Sequence, residues 1–223
     1  MAIAEAPDPL LRPRLRGVSH EIAVFVFAVF GAILIATAPT PRATVAAAIY
    51  SASIVLLFGS SAIYHRVKWA TARGRRMMRR VDHSMIFVLI AGSYTPFALL
   101  SFHGSLGTAV LVGVWIAAAA GVVTKLFWID APRWIVAVMY LVLGWVAIMG
   151  FPMLAEAIGW TATALLGVGG LMYSVGAVIY ARKRPDPVPG VFGYHEIFHL
   201  LVIAAAALQF AVVAFWVMPG AVA

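Results

Sequence analysis

The sequence predicts an all-α integral membrane protein, a bundle of seven transmembrane helices with a cytoplasmic N-terminus and an external C-terminus. Three observations support this prediction: an apolar composition, seven apolar stretches of membrane-spanning length, and basic residues confined to alternate connections. Hydrophobic residues make up 64% of the 223 positions and charged residues 11%, with a mean hydropathy of +1.00. Soluble globular chains carry about 25% charged residues, so the composition excludes a soluble protein.

Seven apolar stretches are long enough to cross a hydrocarbon core of about 30 Å. They occupy residues 19–37, 43–64, 84–102, 106–124, 134–150, 159–181 and 197–218. Pro39 and Pro41 interrupt the pattern after the first stretch, a basic run follows the second after His65, and a segment rich in proline and glycine at 185–190 precedes the seventh. The sequence therefore predicts a short cytoplasmic segment at 1–18, a transmembrane domain at 19–218 and a short external tail at 219–223.

The distribution of Lys and Arg predicts the orientation. With the N-terminus inside, the inside segments hold 15 of the 16 basic residues: Arg12, Arg14, Arg16, Arg66, Lys68, Arg73, Arg75, Arg76, Arg79, Arg80, Lys125, Arg133, Arg182, Lys183 and Arg184. Only Arg42 falls outside, in agreement with the excess of Lys and Arg in cytoplasmic loops. The net charge of +8 is thus a topology signal, so nucleic acid is not expected as a partner. Residues 73–80 are expected to contact anionic lipid headgroups.

Four polar side chains are predicted to share one layer at the cytoplasmic rim, although three different helices supply them. His65 ends the second stretch, Asp82 opens the third, and His195 and His199 open the seventh. His195 and His199 are spaced i, i+4, so both lie on one helical face. Ser61 stands one turn before His65 and faces the same way. The chain contains no cysteine, so a metal must be held by nitrogen and oxygen, and three imidazoles with a carboxylate suit zinc.

The neighbouring polar residues leave several alternatives open. Asp82 could simply pair with Arg79 and Arg80, as an interfacial carboxylate often does. His83 is adjacent to Asp82 and points about 100° away on a helix, which makes it a weaker candidate. His20 lies at the cytoplasmic start of the first stretch and is a possible fourth ligand. His103 is expected at the opposite face of the membrane and is excluded.

Residues 195–199 also match H-E-x-x-H, a metalloprotease signature. Membrane-embedded enzymes of that type need a further ligand downstream, but after Glu196 the chain has no Asp, no Glu and no His other than His199. The third ligand must come from upstream, where His65 supplies it. Glu196 is then either a base or an interfacial carboxylate.

These residues also carry a family resemblance. The motifs are SAIYH at 61–65, VDHSMIFVLIAGSYTPF at 81–97 and HEIFH at 195–199. They resemble the signatures of hemolysin III-type proteins, the bacterial branch of the progestin and adiponectin receptor family. The resemblance implies a multi-pass protein of the bacterial plasma membrane, with zinc bound by His65, His195 and His199 and with Asp82 and Ser61 near the metal-bound water. It also implies kinship to membrane lipid amidases such as alkaline ceramidases.

The expected activity is zinc-dependent hydrolysis of a lipid amide or ester at the cytoplasmic leaflet. Three neutral imidazoles leave the fourth position of zinc for water, the pattern of catalytic zinc. Asp82 would orient or deprotonate that water, and Ser61 would help to stabilise the oxyanion. Two alternatives remain: a non-catalytic zinc staple in a membrane sensor, in which Asp82 binds the metal directly, and an oligomeric cytolytic pore. The sequence does not determine the oligomeric state.

Overall fold

A computed structural model of the chain describes residues 13–102 and 104–221, with only the backbone at 148 and 149. His103, Arg12 and most of the predicted N-terminal segment lie outside the described residues. The described chain is helical and contains no sheet. Its elements are α1 (Val18–Ala36), α2 (Pro41–Arg66), α3 (Ala72–Leu100), α4 (Gly104–Phe127), α5 (Arg133–Trp145), a 3₁₀ turn (Val146–Gly150), α6 (Phe151–Ile158), α7 (Trp160–Arg182) and α8 (Tyr194–Val212), which continues through a π-helical turn (Val213–Val217) and a last turn (Met218–Gly220).

Six of the described helices are long and apolar enough to cross a membrane: α1, α2, α3, α4, α7 and α8 with its continuation. Two of them begin at threonine caps. Thr40 accepts a hydrogen bond from the backbone N–H of Ala43 at the start of α2, and Thr71 accepts one from Gly74 at the start of α3. α3 begins at Ala72, well before the apolar stretch at 84–102, and its first turns carry basic residues.

The stretch predicted at 134–150 is not one long helix. α5 has 13 residues, or about 20 Å at 1.5 Å per residue, and the chain continues as a 3₁₀ turn and α6. The hydroxyl of Tyr94 lies at this break: it is 3.1 and 2.9 Å from the carbonyl oxygens of Leu143 and Gly144, and it accepts a hydrogen bond from the N–H of Ala147. Pro152, in the first turn of α6, has no N–H with which to continue the α5 ladder. Together these groups end one helix and start the next.

Close helix packing in the first half of the chain depends on glycine. A Cβ on Gly92 of α3 would lie 2.2 Å from the Ser53 hydroxyl of α2, and a Cβ on Gly121 of α4 would lie 2.4 Å from the Phe87 ring of α3. Small residues at such crossings let membrane helices approach closely. α2 and α3 are consequently the most buried of the long helices.

The connections that carry the basic residues meet at one end of the bundle, which we call the basic end. The N–H of Arg14 donates to the carbonyl of Gly190, Arg66 pairs with Glu21, Arg76 and Arg79 pair with Asp130, and the Arg133 guanidinium lies over the Tyr180 ring. These contacts bring together the start of α1, the end of α2, the first turns of α3, the α4–α5 connection, the end of α7 and the α7–α8 connection. The ion pair of Arg16 with Glu196 adds the first turn of α8. The residues that the sequence places in one cytoplasmic layer therefore come from elements that meet at this end.

Candidate metal centre

Three histidines from two helices lie together near the basic end: His65 on α2, and His195 and His199 on α8. One ring nitrogen of each lies within 4.8 Å of the others. The Nε2 atoms of His65 and His195 are 3.2 Å apart. Two nitrogens on one tetrahedral zinc, each at about 2.0–2.1 Å, lie about 3.3 Å from each other. The first separation matches this value, and side-chain shifts of about 1–1.5 Å close the rest of the group to it.

The backbone determines where the three rings lie. His195 and His199 occupy the first two turns of α8 and share a face because i and i+4 are neighbours on a helix. His65 lies in the last turn of α2 and is approached closely by Gly17, which precedes α1. Gly17 has a φ of 81°, and a Cβ there would lie 2.5 Å from the Cβ of His65. Glycine at position 17 therefore lets the start of α1 pack against His65.

His20 and Ser61 lie beside the group. The His20 ring stacks on the His199 ring, with centroids 3.7 Å apart and an angle of 8° between the planes. The Nδ1 atom of His20 is 2.8 Å from the Ser61 hydroxyl oxygen, and the tautomer of His20 decides which of the two donates. The Ser61 hydroxyl also faces the Asp82 carboxyl group. His20, a possible fourth ligand from the sequence, thus lies outside the three-histidine group and orients Ser61.

The buried side of the group contains an unpartnered nitrogen. The His199 side chain is 2% exposed, and its Nδ1 atom has no hydrogen-bond partner in the part of the chain that the structure describes. Burial without a partner costs free energy. The imidazole nitrogens of the group suit zinc and other borderline transition metals better than Ca²⁺ or Mg²⁺. The residues therefore fit a metal ion held by nitrogen.

Glu196 stabilises the start of α8. Its side chain is 3% exposed, and it accepts hydrogen bonds from the Nε of Arg16 and from the backbone N–H of Gly193, the latter at 2.8 Å. The second contact caps the helix, and the first ties α8 to the segment before α1. In the H-E-x-x-H stretch the histidines thus join the cluster, while the glutamate is held by Arg16 and the helix cap.

Asp82 is buried. Among the described residues Asp82 forms no ion pair with Arg79 or Arg80; Arg79 lies 3.0 Å from Asp130 and interacts with Asp82 only at longer range. The Nε2 atom of His83 lies 4.0 Å from the Asp82 carboxylate, a contact that is an ion pair only when the imidazole is protonated. Asp82 faces Ser61 instead, so the predicted neighbours Asp82 and Ser61 do lie together.

A cavity of about 440 Å³ runs from this cluster into the bundle. One end holds polar and titratable side chains, whereas the remainder is mainly apolar. The polar end is lined by His20, Ser61, Asp82, His83, His195 and His199, and the rest by residues such as Leu89, Ile90, Phe97, Phe102, Leu106, Val136, Leu141, Phe151, Leu154, Leu166 and Val202. Concave, mostly apolar cavities of this size with a few convergent polar groups are typical of ligand sites.

Several residues around the site could not be assigned from the sequence. The contact of Gly17 with His65 and that of Arg16 with Glu196 depend on how the segment before α1 folds over α8. Lys125 and Arg133 line the same cavity. From the sequence they are only cytoplasmic charges that indicate the orientation. The His20 ring stack is visible only once α1 and α8 are in contact.

The chain is similar to known proteins over most of its length. It matches the family described as haemolysin-III related over residues 10–210. Hemolysin-3 from Bacillus cereus is 35% identical over 185 residues, which cover 82% of this chain and 80% of the relative. The hemolysin-3 homolog from Bacillus subtilis is 35% identical over 75% of each chain. The adiponectin receptor protein from Drosophila melanogaster is 29% identical over 77% of this chain, but only 42% of that relative is covered.

Proposed function

We propose a function from one premise: the chain belongs to the haemolysin-III-related family, whose relatives extend to the adiponectin receptors. The protein crosses the bacterial plasma membrane seven times, with residues 133–158 as the interrupted fifth span and the basic end facing the cytoplasm. His65, His195 and His199 bind one zinc ion there. The distance of 3.2 Å between two of the ring nitrogens and the unpartnered nitrogen of His199 support this assignment.

The activity we propose is hydrolysis of an amide or ester linkage in a membrane lipid. The observation that carries this proposal is the cavity, because it joins the histidine group to an apolar channel inside the bundle. Its lining along α3 extends from Asp82 to Phe97, about 22 Å at 1.5 Å per residue. One leaflet contributes about 15 Å of hydrocarbon, so the cavity is long enough for an extended acyl chain whose linkage lies at the histidines.

Zinc, when bound, would polarise a carbonyl group and make an attacking water more acidic. Asp82 takes the proton from the water as the oxygen attacks the carbonyl carbon. The Ser61 hydroxyl, held by His20 at 2.8 Å, donates a hydrogen bond to the carbonyl oxygen as negative charge develops there. Asp82 then passes the proton to the leaving amine or alkoxide as the C–N or C–O bond breaks, which yields a carboxylic acid and a free amine or alcohol; the acid then loses its proton to solvent.

The metal assignment is tested by metal content. Detergent-purified wild type should carry about one zinc per chain, and His65→Ala and the double variant His195→Ala, His199→Ala should carry none. His83→Ala is the matched control, since it removes a half-buried imidazole outside the group and should keep the metal. The 3.2 Å contact between His65 and His195 would also suit a direct hydrogen bond between two rings. If the wild-type protein contains no metal after chelator-free purification, the contact is a hydrogen bond between the two rings.

Asp82→Asn separates a catalytic centre from a structural one. With zinc retained, release of a labelled fatty acid from a lipid amide or ester should fall about 100-fold or more, because the proton acceptor is lost. Loss of zinc in this variant would instead make Asp82 a ligand and favour the metal staple. The apolar walls of the cavity beyond the histidine end do not favour a water-filled pore, although the names of the two Bacillus relatives refer to haemolysis.

A further inference from the structure

We propose that the cavity contains a second subsite, formed by Lys125, Arg133 and Arg79, which binds the phosphate of an anionic lipid headgroup. The three residues come from α4, α5 and α3 and line the same cavity as the histidine group. This inference deepens the proposed function, because it names the class of lipid whose linkage would lie at the histidines. Binding at the subsite can nevertheless be measured without turnover.

Lys125 is the clearest sign of the subsite. It lies in the last turn of α4 and is 2% exposed. In the described part of the chain its ammonium group makes no hydrogen bond and lies within ion-pair distance of no carboxylate. A buried ammonium group in a membrane helix is costly unless an anion or several acceptors surround it. The negative end of the α4 dipole offsets only a small part of that cost, so an anionic ligand is the partner that the site lacks.

The carboxylates nearby are already engaged. Asp130 pairs with Arg76 and Arg79, and Asp82 faces Ser61 on the histidine side. Arg133 lies over the Tyr180 ring, 5.4 Å from its centroid. Asp130 interacts with Lys125 only at longer range, and among the described residues neither Lys125 nor Arg133 forms an ion pair with a carboxylate.

Two positive charges without a direct ion-pair partner match a phosphate monoester, which carries nearly two negative charges near neutral pH. Arginine forks and a lysine ammonium around one cavity are a common arrangement for phosphate oxygens. His83 interacts electrostatically with Lys125, Arg79 and Arg133 alike, so the three cations surround one region of the cavity. That region is next to the histidine site, because His83 is the neighbour of Asp82 and its Nε2 lies 4.0 Å from the Asp82 carboxylate.

The arrangement places the phosphate a short distance from the proposed scissile linkage. Arg79 lies one helical turn before Asp82 and His83, about 5–6 Å along α3. A lipid whose phosphate and acyl linkage are separated by a few bonds could occupy both subsites at once, with its acyl chain in the apolar part of the cavity. We infer that the substrate is an acidic phospholipid or a phosphorylated lipid amide rather than a neutral lipid.

The test compares two lipids that differ only in the phosphate. Equilibrium binding of 1-oleoyl lysophosphatidic acid and of 1-oleoyl glycerol is measured on the detergent-purified full chain. Wild type should prefer the phosphorylated lipid about tenfold or more, the size expected for a lost charge-assisted contact. Lys125→Met should reduce the preference to near equality and leave the affinity for 1-oleoyl glycerol unchanged, which shows that the variant is folded. Lys68→Met, an exposed lysine outside the cavity, should behave as wild type.

The other results of the binding comparison decide whether the subsite exists and which ligand it takes. Equal affinity of wild type for both lipids, or an unchanged preference in Lys125→Met, overturns the subsite. If Lys125→Met does not fold, Arg133→Gln replaces it, because Arg133 is exposed, and the same two results decide. Inorganic phosphate should bind about 100-fold more weakly than the phosphorylated lipid, and equal affinity would assign the site to a soluble phosphate instead. A preference that persists in the His195→Ala, His199→Ala variant keeps the subsite even if no hydrolysis is found.

Discussion

Glu196 matches the catalytic position of the H-E-x-x-H motif in the sequence, but in the structure it has a different role. The two histidines of H-E-x-x-H belong to the three-histidine group. The glutamate between them is held by Arg16 and by the N–H of Gly193. A carboxylate engaged in an ion pair and a helix cap is poorly placed to move protons at the metal, and Asp82 remains the candidate for that role.

Glu196→Gln should therefore lower stability and leave the chemistry in place. We expect a loss of roughly 1–3 kcal/mol in the free energy of unfolding, because the buried ion pair with Arg16 is broken while Arg16 keeps some solvent contact. Glu21→Gln removes the exposed partner of Arg66 and should cost at most about 1 kcal/mol. Denaturation midpoints in detergent measure both. A 100-fold fall in turnover with normal stability and zinc content in Glu196→Gln would make Glu196 the base and contradict this assignment.

Gly17→Ala should reduce zinc occupancy. The new Cβ would lie 2.5 Å from the Cβ of His65, so the ring must move away from its neighbours. Gly159→Ala provides the matched control, because Gly159 also has a positive φ, 85°, but nothing lies within 4 Å of its Cβ position. Metal content by mass spectrometry should fall in the first variant only. Equal occupancy in both would mean that His65 tolerates the shift or does not bind the metal.

The roles of residues at informative spacings could be predicted from the sequence. The roles of residues whose contacts depend on tertiary packing could not. The i, i+4 pair on α8 and the position of His65 at a helix end follow from periodicity and topology. The roles of Gly17, Lys125 and His20 do not, because they arise where α1 meets α2 and α8 and where α4 meets the cavity. Whether the three histidines hold zinc, and whether Asp82 binds it or acts on water, stays a prediction.

Among the helices, the interruption after α5 is the main difference from the pattern expected from the sequence. Apolar composition is equally high through residues 134–150, so hydropathy alone predicts one span there. The break is made by a side chain from α3: the Tyr94 hydroxyl contacts the carbonyls of Leu143 and Gly144 and the N–H of Ala147. Sequence reasoning could not foresee this contact, because it joins positions about 50 residues apart and depends on how α3 packs against α5.

Tyr94→Phe should destabilise the bundle by about 1–3 kcal/mol, because the N–H of Ala147 loses its acceptor inside an apolar environment. Tyr50→Phe is the control: its hydroxyl is buried without a hydrogen-bond partner in the described chain, so its removal should be neutral or stabilising. Thermal unfolding in detergent compares the two. Similar midpoints for both variants would show that the hydroxyl at the break contributes nothing.

The segments that carry nearly all basic residues of the protein meet at one end of the bundle. The all-helical architecture expected from composition is confirmed, and six helices have the length and hydropathy of membrane spans. The orientation and the seventh crossing rest on the charge distribution and on the path of residues 133–158. The prediction can be tested cleanly because the chain contains no cysteine.

Single cysteines at three exposed positions should map the orientation. With a cytoplasmic N-terminus and seven crossings, an impermeant maleimide should label Pro39→Cys and Gly220→Cys on intact cells. Pro187→Cys, at the basic end, should be labelled only after the membrane is permeabilised. Six crossings with the same N-terminal orientation would protect Gly220→Cys, and the opposite orientation would reverse all three results.

The three-histidine group joins positions 130 residues apart, since His65 lies on the second helix and His195 on the last long one. The ribosome delivers α1 to α7 to the membrane before α8, because chains emerge N-terminus first. A nascent chain that stops short of residue 199 cannot hold an ion with three imidazoles, however well its earlier helices have inserted. If the group binds a metal ion, uptake with all three imidazoles must therefore follow synthesis of the last long helix.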